Sequence, residues 1–285
     1  MKSFVLGITL LFTTAYSYTI QANEMDTVTI KNQSVAGDVY MLEGAGGNIG
    51  VLATPDGLLL VDDQFKPLAD KIESAMQSIV DKPLKYIVNT HFHGDHTGSN
   101  SYFSHHAPIF AHHNVRKRLS SKSDHDHAAL PVVTYENGIT IHLSDETIEL
   151  SHYPSGHTDG DTVVYFKKAN VLHMGDLFFQ GRFPFIDLNN GGSVKGYLAN
   201  AKSILSTFPS TTKIIPGHGN LTDMNGLKDL IAMLEFSINR VEKAIANKLS
   251  LEQVIKQGIG EKYKSLDWNF ITEEKWLTTL YTDLK

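Results

Sequence analysis

The segment His91-Phe92-His93-Gly94-Asp95-His96 places four groups able to bind a metal cation within six residues. In extended chain, side chains two positions apart project to the same side, so His91 and His93 can pinch one ion between them. Gly94 lets the backbone turn sharply, which swings Asp95 and His96 toward a second ion beside the first. Imidazole nitrogen mixed with carboxylate oxygen suits zinc. Gathering four such groups without a shared partner would carry a heavy desolvation cost. Three later loops, Ser155-Gly156-His157-Thr158, His173-Met174-Gly175-Asp176 and Pro216-Gly217-His218-Gly219, follow a common pattern. Each sets a potential ligand beside glycine, which permits tight turns and close backbone approach. The chain contains no cysteine, so no thiolate serves as ligand or nucleophile and no disulfide staples the fold.

The chain that carries these loops has 285 residues, 41% hydrophobic and 20% charged, the profile of a globular protein with a sizeable core. A formal net charge of −6 and the lack of any long Lys/Arg run argue against a nucleic-acid partner. The densest basic cluster, Arg116-Lys117-Arg118, reads as a solvated helix end. Lys2 followed by the apolar run from Phe4 to Phe12 reads as an export signal over residues 1–22, with cleavage after Ala22. An uncleaved anchor is the alternative, although the Thr/Ser/Tyr content of residues 13–19 makes that span weakly hydrophobic. The expectation is a periplasmic or secreted protein with no stable membrane insertion after cleavage, and one domain over residues 27–285.

Short apolar runs separated by turn residues predict strands at Val28 to Ile30, Val39 to Leu42, Ile49 to Thr54 and Leu58 to Val61, with Pro55-Asp56-Gly57 as a hairpin turn. Leu68, Ile72, Met76 and Ile79 mark a helix. The strand Tyr86-Ile87-Val88 then runs toward His91, and residues 97 to 118 read as helix, strand and helix. Strands return from Val132 to Phe166, with Asn137-Gly138 as a hairpin signal, and again at Val171 to His173 and Lys213 to Ile215. Helices are expected from Lys195 to Phe208, Gly226 to Asn247 and Thr272 to Leu284. Ser250 with Gln253 suggests a capping box. Two mixed sheets packed face to face, with helices outside, would accommodate this α/β order.

Taken together, His-x-His-x-Asp-His, Gly-His-Thr, Gly-Asp and Pro-Gly-His-Gly resemble the metallo-β-lactamase superfamily, and the likeness extends back to Gly57-Leu58-Leu59-Leu60-Val61-Asp62. The resemblance implies an αββα sandwich with metals at one edge of the two sheets. It implies that His91, His93 and His157 hold one zinc, that Asp95, His96 and His218 hold a second, and that Asp176 bridges them. In the largest β-lactamase subclass a Cys stands in the place of Asp176, and a Lys shortly after it holds the substrate carboxylate; Phe179 occupies that later position here. Asp176 and His96 instead resemble glyoxalase II and lactonases, while the intervals from His157 through Asp176 to His218 are more like the β-lactamase subclass.

The expected chemistry is hydrolysis of a small-molecule amide, ester or thioester, most nearly β-lactamase-like. Two ions about 3.5–4 Å apart would acidify a shared water, which Asp95 would orient toward a carbonyl carbon. Lactone or thioester hydrolysis is the alternative, iron is the alternative metal, and a non-catalytic zinc-binding protein is the alternative of another class. Asp62, Asp159 and Thr162 are candidates to brace the ligand imidazoles. Arg182 and Asn190 are candidates for substrate contact, and Phe178, Phe179, Phe183 and Phe185 could line a pocket. His105, His106, His112, His113, His142 and His152 lack the motif and read mostly as surface residues. His125 and His127 could take an adventitious ion.

Overall fold

The structure, a computed structural model, describes residues 25–123 and 126–285; the expected export segment and His125 lie outside the described residues. Two mixed sheets form the centre. The first runs in the order β1 (Lys31–Ala36), β2 (Val39–Glu43), β3 (Ile49–Thr54), β4 (Gly57–Val61), β5 (Leu84–Val88), β6 (Ile109–His112), β7 (Val133–Tyr135). The second runs β13 (Thr222–Asp223), β12 (Lys213–Ile215), β11 (Val171–His173), β10 (Thr162–Phe166), β9 (Glu146–His152), β8 (Gly138–Leu143).

Alternation along the strands builds three layers of apolar contact. Leu59 and Val61 of β4 turn inward and meet Leu150, Val164, Phe166 and Ile215 of the second sheet. Leu58 and Leu60 turn outward onto Ile72 and Met76 of α1 (Ala69–Ile79). The second sheet's outer face, Val163, Leu172 and Ile214, is covered by Tyr197 and Ile204 of α5 (Val194–Thr207), by Leu227 and Leu234 of α6 (Met224–Ala246) and by Trp276 of α8 (Glu273–Leu284). Both faces of β4 and β10 are therefore buried, which is why each reads as an unbroken apolar run. Each fully buried aliphatic side chain contributes about 1.5–3 kcal/mol. The layers are helix, sheet, sheet, helix, as expected of an αββα sandwich. The remaining helices are short: α2 (Gly94–Thr97), α3 (Asn100–Phe103), α4 (His113–Ser120) and α7 (Leu251–Gln257). Ser250 and Gln253 form the capping box of α7. Among the described residues no helix is long and apolar enough to cross a membrane.

Two expectations are corrected. Val28 to Ile30 is not a strand; the ladder begins at Lys31. Lys71 Nζ takes the carbonyls of Met25, Asp26 and Val28 at 3.1, 2.7 and 2.8 Å, so a side chain satisfies groups that strand pairing would have used. Asn137-Gly138 does turn the chain, but its flanking strands do not pair. β7 joins β6 in the first sheet and β8 joins β9 in the second. The hairpin of this region lies at Ser144 and Asp145, with Ser144 at φ 53°. A local turn signal sets the bend; the choice of partner falls to the open parallel edge of β6.

Candidate metal centre

Parallel pairing puts the ligand loops side by side. β4 and β5 run together, so Asp62 emerges next to the loop of His91 and His93, and the Asp62 N–H donates to Val88 O at 2.8 Å. β11 and β12 also run together, which sets Asp176 beside His218, with the Gly217 N–H donating to Gly175 O at 2.8 Å. Asn48, at the start of β3, stitches the two sheets where they meet. Its amide donates to Pro216 O at 2.9 Å and Gly219 O at 2.8 Å, flanking His218 on both sides. At Gly47 the backbone lies so close to His96 that an added Cβ would fall 2.1 Å from its ring, and at Gly217 one would fall 2.1 Å from Asp176 Oδ1.

Seven side chains converge in two groups, His91, His93, His157 and Asp176 in one and Asp95, His96 and His218 in the other. In the first, His93 Nδ1 lies 3.1 Å from His91 Nε2 and 2.8 Å from His157 Nε2. Asp176 Oδ2 faces this group, 3.4 Å from His157 Nε2. Its other oxygen, Oδ1, lies 3.1 Å from His96 Nε2 and 3.4 Å from His218 Nε2 in the second group. His218 Nε2 is also 3.2 Å from Asp95 Oδ2. Asp176 thus spans both groups with one carboxylate.

The outward nitrogens of four imidazoles decide what the inward ones can do. His96 Nδ1 meets Asp62 Oδ2 at 2.8 Å, His93 Nε2 meets Asp187 Oδ2 at 3.0 Å, and His157 Nδ1 meets Phe185 O at 2.7 Å. Carboxylates and carbonyls only accept, so each of those nitrogens carries the proton. Thr90 Oγ1 donates to Asp62 Oδ2 at 2.7 Å and therefore accepts from His91 Nδ1 at 3.0 Å. The inward nitrogens of His91, His93 and His157 are left as bare lone pairs, two of them 2.8 Å apart. His96 Nε2 and Asp176 Oδ1 are buried without a hydrogen bond. Lone pairs and carboxylate oxygens crowded into one space are costly alone and favourable around cations. The donor set fits divalent metal ions.

The carboxylates draw positive charge to the imidazoles nearest them: burial opposes charge on His96, but Asp176, Asp95 and Asp62 outweigh it and lift its pKa well above 6.5. Burial pushes the His157 imidazole down to about 4, holding it neutral. Burial opposes charge on His218 as well, but Asp176 and Asp95 outweigh it and lift its pKa to about 9. Burial also works against ionised Asp176, yet the charges of His96 and His218 hold its carboxyl well below the usual range. Asp161 accepts from the Thr158 N–H at 2.9 Å, and burial pushes its carboxyl up to about 8.

Of the residues expected to brace the ligands, Asp62 is fully buried against His96. Asp159 is instead the bidentate partner of Arg118, at 2.7 and 2.6 Å, and touches no ligand imidazole. Thr162 Oγ1 accepts from the Tyr135 hydroxyl at 3.0 Å, and its N–H donates to Thr90 O. Asn190 does not reach the cavity. Its amide donates to Asp187 Oδ2 at 2.7 Å and its oxygen accepts from Arg118 at 2.5 Å. Arg118 is accordingly no solvated helix end. Its guanidinium lies 5.4 Å from the Phe92 ring and anchors the chain Arg118, Asn190, Asp187, His93. His112 is not a surface residue either. It is 2% exposed and stacks on His152 at 3.7 Å with 7° between the planes.

Sequence reasoning missed Asp187, Thr90 and Asn48. Asp187 had a signal, an acidic residue set in the apolar stretch Phe185-Ile186-Asp187-Leu188, just as Asp62 follows Leu60-Val61. Asn48 had none, because its partner Pro216 is 168 residues away in sequence; Thr90 adjoins His91, but the carboxylate that fixes its hydroxyl, Asp62, is 28 residues away.

Beside the seven ligands opens a cavity of about 670 Å³, lined by His93, Asp95, Asp176, Arg182, His218 and several rings. Phe179 and Phe185 line it, while Phe178 and Phe183 belong to the core. Arg182 stands over the Trp268 ring at 4.9 Å, and burial pulls its pKa down.

Comparison with known proteins matches this geometry. The family model of the metallo-beta-lactamase superfamily matches residues 42–218. The chain is 28% identical over 191 residues to a probable metallo-hydrolase, YqgX, of Bacillus subtilis, covering 62% of this chain and 90% of that protein. It is 22% identical over 194 residues to a type 2 metallo-beta-lactamase of Elizabethkingia meningoseptica, covering 66% and 74%. Among solved structures, a metallo-beta-lactamase from Pontibacter korlensis superposes with a TM-score of 0.65 at 17% identity, covering 73% of this chain and 99% of that one.

Proposed function

Given that the chain belongs to the metallo-β-lactamase superfamily, we propose that it is an exported zinc hydrolase that opens an amide, most nearly a β-lactam, at the centre of seven ligands. The observation that carries this reading is the pair of ligand groups sharing Asp176 at the edge of an open cavity. Two divalent ions held there supply Lewis acidity and lower the pKa of a water toward neutrality. The remaining work belongs to the chain. Asp95, about a quarter exposed and ionised, stands at the cavity wall, where it can take the proton of the attacking water. Asp62, Thr90 and Asp187 hold the imidazoles in one tautomer, so no reorganisation is needed as charge develops. Arg182 pairs with no carboxylate among the described residues and faces the cavity, where it suits an anionic substrate group.

The carboxylate of Asp176, where the largest β-lactamase subclass has sulfur, supports a second reading, hydrolysis of a lactone or thioester. The open cavity beside the ligands weighs against a storage role, for which closed coordination is expected. The test is a panel on zinc-loaded mature protein: a cephalosporin reporter, an acyl-homoserine lactone and a glutathione thioester, each with and without exhaustive chelation. Turnover that vanishes with chelator and returns with zinc supports the hydrolase reading. Turnover that survives chelation, or none on any member of the panel, overturns it. The ranking of the three specificity constants selects the substrate.

A further inference from the structure

Aromatic side chains form an arc that joins the two ligand groups around the cavity. Phe179 lies flat on His218, 5.0 Å between centroids and 13° between planes. Trp268 follows at 6.2 Å from Phe179, then Phe270 at 5.6 Å from Trp268. Phe185 meets Phe270 at 5.4 Å and closes the arc 5.6 Å from both His93 and His157. The far half of the arc, Trp268 and Phe270, lies beyond residue 218, where the family match ends. Two bonds tie that segment to the site. The Phe183 N–H donates to Leu266 O, and Trp268 Nε1 donates to Phe183 O, both at 2.9 Å. Trp276 of α8 stacks on Phe183 beneath them at 5.8 Å.

Phe270 remains 50% exposed although its neighbours form an apolar wall. Apart from the metal ligands, the charged groups lining the cavity are Glu43 and Arg182. Away from Arg182, a strongly anionic or highly polar group would find no partner among these rings. An aryl group would bury apolar area and find edge and face partners at once.

We propose that the C-terminal segment carrying Trp268 and Phe270 is the specificity element of this site, and that it selects acyl compounds bearing an aryl-sized apolar substituent. The inference rests on the hydrolase reading for the identity of the scissile bond, but not for the binding of the aryl group. Trp268 supplies the separate readout, because the only other tryptophan, Trp276, is fully buried.

The experiment has two arms on zinc-loaded protein. In the first, phenylacetate and acetate are titrated against tryptophan fluorescence. Phenylacetate should bind about 10- to 100-fold more tightly than acetate and quench Trp268, and the preference should fall about tenfold in Phe270→Ala. In the second, benzylpenicillin is compared with 6-aminopenicillanic acid, which has the same ring and lacks the phenylacetyl group. The ratio of specificity constants should favour benzylpenicillin about tenfold or more, and Phe270→Ala should erase that through KM with kcat held within about twofold. Phe236→Ala, a half-exposed ring away from the cavity, serves as control and should change neither arm. Equal binding of phenylacetate and acetate, or a preference untouched by Phe270→Ala, overturns the proposal. Failure of both lactams to turn over counts against the lactam reading, while the fluorescence arm still decides the aryl site.

Discussion

Replacing Asp62 by Asn should weaken the ion held by His96 by about 10- to 100-fold, or about 1.4–2.7 kcal/mol, with the fold intact. Asn is the same size and tolerates the left-handed backbone at this position, φ 62°, better than Ala would. The orientation of the new amide is forced. The Thr90 N–H donates to Asp62 Oδ1 at 2.8 Å and cannot reverse its role, so the amide oxygen must stay there. The amide nitrogen then faces His96 Nδ1, now at 2.8 Å from a carboxylate oxygen. Two donors cannot share that contact, so His96 moves its proton to Nε2. That is the nitrogen lying 3.1 Å from Asp176 Oδ1, among the ligands of the second group. Binding an ion must then expel this proton or leave Nδ1 unpaired in a site with no water contact. The assay is stepwise zinc competition against a chelator of known affinity, with circular dichroism as the check on folding. Zinc affinity at both sites within twofold of the parent protein, in a folded variant, would refute the reasoning. Loss through aggregation alone would be seen in the dichroism and repeated with Asp62→Glu.

Asp187→Asn should act on the first ion group in the same way, because His93 Nε2 lies 3.0 Å from that carboxylate; zinc stoichiometry falling toward one ion per chain at limiting metal checks it. Gly47→Ala should lower kcat/KM at least tenfold and weaken zinc binding, since its methyl would fall 2.1 Å from the His96 ring, and a variant with normal zinc affinity would contradict the close approach. Acid should destabilise the fold through His112. Burial, then the charges of His152 and His113, lower its pKa from 6.5 to about 4. The folded chain thus refuses a proton that the unfolded chain accepts. The stabilising contribution is complete above pH 6.5 and is lost as pH falls from 6.5 toward 4. In His112→Phe the denaturation midpoint should fall less steeply over that window than in the parent; parallel curves would exclude His112 as the source.

Short-range signals are readable where the chemistry itself is local. His91 to His96 announce a metal site because four ligands share one loop, and Leu58 to Val61 announce a buried strand because both faces are covered. What stays hidden depends on partners distant in sequence. Asp159 beside Gly160 looks equally able to brace an imidazole or to fill a turn, and only Arg118, 41 residues earlier, decides that it does neither. Asn190 looks like a substrate contact because it follows Asp176 in a glycine-rich stretch, yet its side chain serves Asp187, three residues before it. Asn137-Gly138 marks its turn correctly and misleads on pairing, since a turn cannot report which sheet has a free edge. The aromatic arc is half legible, because Phe179 and Phe185 sit near Asp176 while Trp268 and Phe270 arrive from the far end of the chain.

Asp176 has a consequence for durability. Every donor in the centre is nitrogen or oxygen, and the sequence holds no sulfhydryl at all. Peroxide, alkylating reagents and thiol-capturing drugs therefore find no group to attack at the bridge, where a sulfur donor would climb the oxidation ladder and release its ion. The same set, five imidazoles and two carboxylates, suits several first-row metals, so geometry and availability select among them more than raw affinity does. Refilling a centre of this kind with metal would need no reducing agent, because it has no thiol to be kept reduced.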